Sequence, residues 1–282
     1  MTPAGKRART GERPSVDKEQ PDVRVNVHLR DGRATVCVDL SGEPLHRRGL
    51  GREAGEAPLK ENLAAAILLL AGWPAAALAG TPLVDPMCGS GTFLLEAGGM
   101  AFDRAPGLGR MRWGFDGWAP HDAALWKRLL YEANDRMRAA ADRPVALYGS
   151  DCDPEMIRTS RYNLARAQVP VALAVQALVD CHPPATQRAE VPRGLLVTNP
   201  PYGMRLEDAE GARQVGADLG GMLRRRFLGW RAFVLAGGSD LAHGIGLKTT
   251  RRTPLWNGPI ECRLLQLDIH DAPVSGLGPG WG

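Results

Sequence analysis

Short apolar segments alternate along this chain with longer segments of helical character, and several of the apolar segments end at an acid or an asparagine. Largely apolar runs of strand length occupy residues 83–84, 145–148, 171–175 and 194–198. Helices are predicted from Asp122 to Ala141 and from Glu155 to Ala167. Buried strands that alternate with helices are typical of an open α/β sheet.

A different pattern precedes this region. Residues 23–29 and 34–40 alternate apolar and polar positions around the turn Arg30-Asp31-Gly32, which predicts a β-hairpin. An isolated hairpin is marginal in water, so it is expected to pack on something. The expected division is a disordered basic tail at 1–21, a partial hairpin module with a linker at 22–56, the α/β domain at 57–270 and a flexible tail at 271–282.

The segment Asn199-Pro200-Pro201-Tyr202 follows the last of the internal apolar runs. The two prolines stiffen the turn, because Pro200 has no N–H and Pro201 restricts the residue before it. Two acceptors, the Asn199 side chain and the Pro200 carbonyl, then lie beside an aromatic ring and suit an exocyclic amino group on a planar base. A plain turn that closes a strand is the alternative, since Asn and Pro favour turns. All four residues are predicted to be catalytic.

A loop with two glycines follows the first apolar run and leads into a helix. It reads Asp85-Pro86-Met87-Cys88-Gly89-Ser90-Gly91-Thr92. It matches neither a dinucleotide-binding turn nor a Walker loop. An acid at the strand end suits a ligand with an ammonium group, and glycines let such a ligand approach the backbone. The predicted cofactor-binding residues of the loop are Asp85, Pro86, Cys88, Gly89, Gly91 and Thr92.

Two further acids follow later strands. Asp151 comes soon after the run at 145–148, and an acid at the end of the second strand of an open α/β sheet can pair with ribose hydroxyls. Asp153 precedes Pro154 and is interpreted as a helix cap. Asp180 lies beyond the run at 171–175 and is predicted to accept from an adenine amino group; a loop acid without function is the alternative.

The order of these elements resembles that of the 23S ribosomal RNA guanine-N2 methyltransferases, whose best-known bacterial member forms the N-terminal half of a bifunctional enzyme. The segments that carry the resemblance are 57–67, 83–96, 112–118, 198–206 and 257–264. The resemblance implies a Rossmann-like class I fold with an antiparallel last strand and S-adenosylmethionine as the cofactor. It also implies formation of N2-methylguanosine in domain V of 23S rRNA, or of an assembly intermediate, in the cytoplasm.

The resemblance also assigns a place to the hairpin. In that family such a hairpin ends a THUMP domain, an RNA-binding module, and further residues precede it, so a shortened THUMP region is expected here. A closing hairpin is predicted from strands at about 248–255 and 261–269 around Asn257-Gly258. Arg251 and Arg252 on this hairpin are the predicted RNA-binding residues; solvated surface charge is the alternative.

Composition adds limits to this picture. A chain of 282 residues that is 44% hydrophobic can bury one sizeable core, and its net charge of +4 favours a polyanionic partner only mildly. The five scattered cysteines form no Cys-x-x-Cys motif, so no metal site is expected. Residues 62–84 carry no charge, but Gly72-Trp73-Pro74 interrupts them. A helix over about 59–71 and then a turn are predicted there, and no membrane span.

Three other functions are consistent with the same residues. A tRNA guanine-N2 methyltransferase can carry the same hairpin module and the same loop. A DNA amino-methyltransferase shares the Asn-Pro-Pro-Tyr chemistry but needs a target-recognition domain. An RNA-binding assembly factor without activity is the third.

Overall fold

The protein's computed structural model describes residues 16–17, 19, 21–50, 53, 59–185, 194–201 and 208–270. The strands are β1 Arg24–Arg30, β2 Arg33–Asp39, β3 Leu83–Asp85, β4 Leu147–Asp151, β5 Ala172–Val175, β6 Leu195–Thr198, β7 Arg231–Ala236, β8 Arg251–Asn257 and β9 Ile260–Asp268. The helices are α1 Glu61–Leu70, α2 Trp73–Leu78, α3 Thr92–Ala101, α4 Ala123–Ala139, α5 Pro154–Arg166, α6 Asp208–Arg226 and α7 Ser239–Ile245, with a short 3₁₀ turn at Leu178–Asp180. The predicted tail at 1–21 lies mostly outside the described residues, and the tail at 271–282 lies wholly outside them.

Strands β3 to β9 form one mixed sheet in the order β5-β4-β3-β6-β7-β9-β8. Strands β3 to β7 are parallel, whereas β9 runs antiparallel to both β7 and β8. The predicted open α/β sheet with an antiparallel last strand is confirmed. Because parallel strands share their carboxyl edge, the residues that follow β3, β4 and β6 are brought to one side of the molecule.

Alternating side chains of the inner strands divide the core into two layers. Leu195 and Val197 of β6 are buried in the layer that contains residues of α1, α2, α3 and α5. Leu196, between them, is buried in the layer formed with α6 and α7. Both faces of the central strands are therefore covered, which explains why these segments are continuously apolar in the sequence.

A short helix, α2, replaces the turn that was predicted after the first helix. Gly72 has φ of 77° and ends α1, and Pro74 lies in the first turn of α2. A proline costs little there because the N–H groups of a first helical turn have no partner inside the helix. Trp73 is fully buried, and its indole N–H donates to the Ala97 carbonyl at 2.9 Å. This tertiary contact holds α2 against α3.

The N-terminal hairpin forms a sheet of its own. β1 and β2 pair antiparallel from Arg24↔Asp39 to Arg30↔Arg33. The two turn residues Asp31 and Gly32 have φ of 50° and 70°, the left-handed backbone that two-residue hairpin turns prefer. Every residue of β1 is exposed. The expected hairpin is thus present, but its strands do not pack on the large sheet.

The segment after the hairpin is fastened to the α/β domain by arginines. The Arg110 guanidinium donates to the carbonyls of Ser41 and Glu43, at 2.9 and 2.8 Å, and also to those of Pro44 and Arg47. Arg48 and Glu96 form a half-buried pair with N–O distances of 2.9 and 3.0 Å. These contacts attach the base of the hairpin although its strands stand free.

The aromatic loop before α4 packs on that helix. Trp113 stacks on Phe115 with ring centroids 5.5 Å apart, and both rings meet Trp126 of α4 edge-on. Arg110 lies over the Trp113 ring. These rings are therefore occupied in packing the loop, the same loop whose Arg110 holds the hairpin segment.

Candidate active site

A cleft of about 510 Å³ opens at the carboxyl edge of the sheet. Asp85 at the end of β3, Asp151 at the end of β4 and Asn199 directly after β6 all line it. β3 lies between β4 and β6 in the sheet, so three polar side chains stand on three adjacent strand ends. The sequence-predicted grouping of these residues is reproduced by the structure.

Asp85 lies at the bottom of the cleft and is only 1% exposed. The Met87 N–H donates to its Oδ1 at 3.3 Å. Burial raises the pKa of this carboxyl to about 7, and the negative charge of Asp151 adds to the rise. A carboxylate that is costly to ionise when alone is well suited to a cationic ligand, because the cation offsets the lost hydration.

Asp151 joins the second strand to the glycine loop. Its Oδ2 accepts from the Gly89 N–H at 2.9 Å, and its Oδ1 accepts from the Asp153 N–H at 3.0 Å. Each carboxylate oxygen has a second lone pair, so both can also accept from a ligand in the cleft. Asp151 is therefore placed to bind a ligand and to hold the loop that surrounds it. Asp153 accepts from the Glu155 N–H at 2.8 Å and caps α5, as predicted.

The two glycines of the loop have different roles. Gly89 lines the cleft with φ of +51°, and a Cβ there would meet nothing within 4 Å. Gly91 has φ of +85°, is not among the lining residues, and a Cβ there would come 2.5 Å from Ser160 Oγ. Both were expected to make room for a ligand. The structure supports that role for Gly89, whereas Gly91 is needed for close packing of the loop on α5.

Three other loop residues were predicted from the sequence to bind the cofactor. Pro86, Cys88 and Thr92 line the cleft. Burial raises the pKa of the Cys88 thiol far above its ordinary value, with the charge of Asp85 as a second cause. A thiol that remains protonated is a poor nucleophile, so Cys88 lines the cleft as a small side chain rather than as a nucleophile.

The Asn-Pro-Pro segment forms the wall of the cleft beside β6. Asn199 and Pro201 are lining residues, and Pro200 between them is buried. Tyr202 lies outside the described residues. The Asn199 amide thus shares one cleft with Asp85, one strand away in the sheet.

Asp180 is not among the residues that line the cleft, although its neighbour Leu178 is. The Asp180 carbonyl accepts from Arg226 Nη1 and from Gln176 Nε2, both at 2.9 Å. Its backbone thus connects the 3₁₀ turn to α6. Contact of its side chain with an adenine stays a prediction.

Several lining residues were missed by the sequence analysis. Asp218 and Val215 come from α6, Met156 comes from α5, and Leu59 comes from the segment that precedes α1. The apolar spacing of Val215, Leu219 and Met222 indicates which side of α6 faces the sheet. Nothing in a single sequence indicates which end of that helix reaches the cleft. Asp218 accepts from Gln214 Nε2 at 3.0 Å.

A buried asparagine that the sequence analysis also missed ties the preceding segment to the glycine loop. Asn163 of α5 exchanges two hydrogen bonds with the backbone of Glu53 and donates to the Ser90 carbonyl at 3.0 Å. Its partners are distant in sequence, so no local signal marks it.

The two predicted RNA-binding arginines lie on opposite faces of β8. Arg252 is opposite Leu265 and Arg251 is opposite Gln266 in the β8–β9 pairing. Side chains of successive strand residues point to opposite faces, so the two cannot serve one surface together. Both side chains are exposed.

Within the described ranges, no cluster of three or more His, Cys, Asp or Glu residues has the geometry to hold a metal ion. No helix in the same ranges is long and apolar enough to cross a membrane.

Comparison with known proteins identifies the family. A family model described as RMKL-like, methyltransferase domain matches residues 48–266. The chain belongs to this family. The prediction from sequence is thereby confirmed, and a THUMP domain model matches residues 5–39, which include both strands of the hairpin.

Individual members and solved structures agree with this assignment. The ribosomal RNA large subunit methyltransferase K/L of Allochromatium vinosum is 48% identical over 92% of this chain. A protein described as a methyltransferase in complex with SAH has a TM-score of 0.78 at 32% identity, over 94% of this chain and 67% of that one. A predicted N6-adenine-specific DNA methylase from Listeria monocytogenes has a TM-score of 0.73 at 30% identity, over 88% of this chain and 61% of that one. The chain spans only 35% of the length of the Allochromatium protein.

The two loop glycines provide a matched pair for mutagenesis. We expect Gly91→Ala to lower the free energy of unfolding by roughly 1–3 kcal/mol, because it combines a left-handed backbone with a clash against Ser160. Gly89→Ala is expected to cost about 1 kcal/mol, since only the backbone is unfavourable. Chemical denaturation of both variants measures the difference. Equal losses would contradict the separate roles.

The buried carboxyl of Asp85 predicts a pH-dependent gain in stability for Asp85→Asn. Its folded pKa is raised from 3.8 to about 7, so the folded state holds the proton more tightly and the carboxyl's contribution to stability falls as pH rises between these values. At about 1.4 kcal/mol per pH unit, the variant should gain on the order of 3 kcal/mol over the parent between about pH 5 and pH 8. Melting temperatures of both proteins across this range test the prediction. A difference that does not change with pH would contradict it.

Proposed function

We propose that this chain is an S-adenosylmethionine-dependent RNA methyltransferase that forms N2-methylguanosine in 23S rRNA in the cytoplasm. The observation that carries the proposal is the meeting of Asp85 and Asn199 in one cleft, on adjacent strand ends. One residue suits the ammonium end of the cofactor, and the other suits the amino group that is methylated.

The residues of the cleft fit the cofactor. Asp85 provides a buried carboxylate for the ammonium group, Gly89 leaves open space beside the backbone, and Asp151 offers acceptors for ribose hydroxyls. Asp180 is proposed to reach the adenine. The bound SAH in the 32% identical neighbour supports the same ligand class. When bound, S-adenosylmethionine supplies a methyl group made electrophilic by its sulfonium.

The protein's own task is to orient the acceptor and to stabilise its charge. The exocyclic N2 of guanine is a poor nucleophile because its lone pair is delocalised into the ring. Two acceptors, the Asn199 side-chain oxygen and the Pro200 carbonyl, accept hydrogen bonds from its two N–H groups and favour a more pyramidal nitrogen. They also stabilise the positive charge that develops during transfer, before a proton is lost to water. Tyr202 is proposed to cover the base.

Ribosomal RNA is favoured as the substrate for two reasons. The most similar relative described above is named for the large-subunit rRNA, at 48% identity, and the hairpin matches the model of a THUMP domain. We keep the proposed division into a hairpin module with its linker at 22–56 and a methyltransferase domain at 57–270. Arg251 and Arg252 remain proposed RNA contacts, one from each face of β8.

The substrate class is tested with the full chain and labelled S-adenosylmethionine. Purified 23S rRNA, tRNA and DNA are offered separately, and incorporation of label is counted in each. We expect label in 23S rRNA. Label in tRNA or DNA alone would replace the substrate, and binding of the cofactor without transfer to any nucleic acid would favour an assembly factor.

Loss of the Asp151 carboxylate should weaken cofactor binding. We expect Asp151→Ala to reduce the affinity for S-adenosylmethionine by on the order of ten-fold or more, because a charged acceptor and the anchor of Gly89 are both lost. Calorimetry measures this. Asp122→Ala is the control, since Asp122 also accepts a backbone N–H, from Leu125 at the start of α4. An unchanged affinity in Asp151→Ala would exclude the ribose assignment.

Loss of the Asn199 amide should affect chemistry rather than cofactor binding. We expect Asn199→Ala to lower turnover by roughly a hundred-fold or more and to keep the cofactor affinity within a few-fold. Single-turnover methylation and calorimetry measure the two effects. Asn134→Ala removes an amide of α4 that bonds the Leu130 carbonyl and serves as the control. Normal methylation by Asn199→Ala would show that the segment is only a turn.

A further inference from the structure

The closing hairpin projects beyond the sheet on the same side as the candidate active site. The β7–β9 pairing ends at Ala236↔Arg263, whereas β8 and β9 continue to pair as far as Asn257↔Ile260. β9 is antiparallel to β7, so its first residues extend past the carboxyl end of β7. β6, which precedes Asn199, is the neighbour of β7. The projection is therefore separated from the Asn-Pro-Pro wall by one strand, β7.

One face of the projection combines cationic side chains with an exposed indole. Arg252 and Trp256 are separated by an even number of residues on β8 and so share a face. Across the pairing, Glu261 lies opposite Trp256 and Arg263 lies opposite Pro254, so Glu261 and Arg263 are on the same face. Trp256 is 60% exposed, which is unusual for so large an apolar side chain.

This face borders a second cavity, of about 360 Å³, distinct from the cofactor cleft. Arg252, Arg263 and Glu261 line it from the hairpin, and Ser239 and His243 line it from α7. α7 begins three residues after the end of β7, so the cavity also lies at the carboxyl edge of the sheet.

The basic side chains of this cavity make few contacts with other described residues. In the part of the chain that the structure describes, neither Arg263 nor His243 has an ion-pair partner. Arg252 donates through Nε to the Thr249 hydroxyl at 3.1 Å, and its terminal amines remain available. Glu261 is the only acid among the lining residues. The cavity is thus cationic on balance.

We infer that this face, made of Arg252, Trp256 and Arg263, holds the single-stranded RNA that flanks the target guanine. His243 of α7 borders the same site from across the cavity. The inference rests on the proposed function. Arg252 and Arg263 bind phosphates of the strand, and a base adjacent to the target stacks on the Trp256 indole. Stacking requires an unpaired base, and a guanine that enters the Asn199 cleft has left its own stack, so its neighbours are exposed to such a platform.

The experiment measures binding and methylation of a transcript of 23S domain V by the full chain. We expect Trp256→Ala to weaken binding by about ten-fold, the loss of one stacked base, and Trp256→Phe to restore most of it. Trp256→Leu keeps apolar surface without a π-face and should not restore it. Arg263→Gln should reduce the slope of log affinity against log salt by about 0.7, the loss of one phosphate contact to a single strand.

The controls lie on α4, away from both cavities. Tyr131→Ala removes an aromatic ring that is 58% exposed, and Arg128→Gln removes an exposed arginine. Neither should change RNA affinity or the salt slope. Calorimetry with S-adenosylmethionine should give the parent affinity for every variant, which shows that each is folded.

The outcomes separate this inference from the proposed function. If the parent methylates the transcript and the Trp256 and Arg263 variants match it, the function stands and the RNA face is wrong. Restoration by leucine as good as by phenylalanine would indicate an apolar surface for a protein and would also overturn the inference. A parent that binds S-adenosylmethionine but no RNA would remove both.

Discussion

The candidate active site is built around a carboxyl group buried at the end of β3. Asp85 lies at the bottom of the cleft, where loss of hydration raises its pKa to about 7. Such a residue lowers the stability of the empty protein at neutral pH, and a bound cation would offset this cost. Around it, the Asp151 carboxylate holds the glycine loop through Gly89, and Gly91 fits closely against Ser160 of α5. These contacts fix the glycine loop that surrounds the acid.

A second set of contacts connects the glycine loop and its surroundings to the segment after the N-terminal hairpin. Asn163 ties the glycine loop to the backbone of Glu53, and Arg48 pairs with Glu96 on α3. Arg110 then gathers four carbonyls between residues 41 and 47. The N-terminal hairpin is thereby fixed at its base relative to the cleft, while β1 stays exposed to solvent. The closing hairpin, with Trp256, stands at the cleft's other side along the sheet.

Local sequence patterns were sufficient to predict which polar residues lie at the strand ends, but not which contacts form between elements. Asp85, Asp151 and Asn199 could be predicted because an apolar run followed by a polar residue is a local signal, and parallel strands bring such residues to one edge. The different roles of Gly89 and Gly91 depend on what lies opposite each of them, which the sequence does not contain.

Helix α2 was missed because Pro74 was interpreted only as a breaker, whereas burial of Trp73 against α3 stabilises a helix there. Asp218 was missed because the orientation of α6 on the sheet decides whether this residue reaches the cleft. Arg251 and Arg252 are adjacent in the sequence, and the alternation of side chains along β8 places them on opposite faces.

The most direct test of the account is the identity of the methylated nucleoside. 23S rRNA that lacks its natural methyl groups is incubated with the full chain and S-adenosylmethionine, digested to nucleosides and analysed by liquid chromatography and mass spectrometry. An acceptor pair made of the Asn199 amide and the Pro200 carbonyl predicts methylation of an exocyclic amino group, and the proposed function places that group on guanine, so N2-methylguanosine is the expected product. N6-methyladenosine, or a methyl group on a ring carbon, would contradict the account.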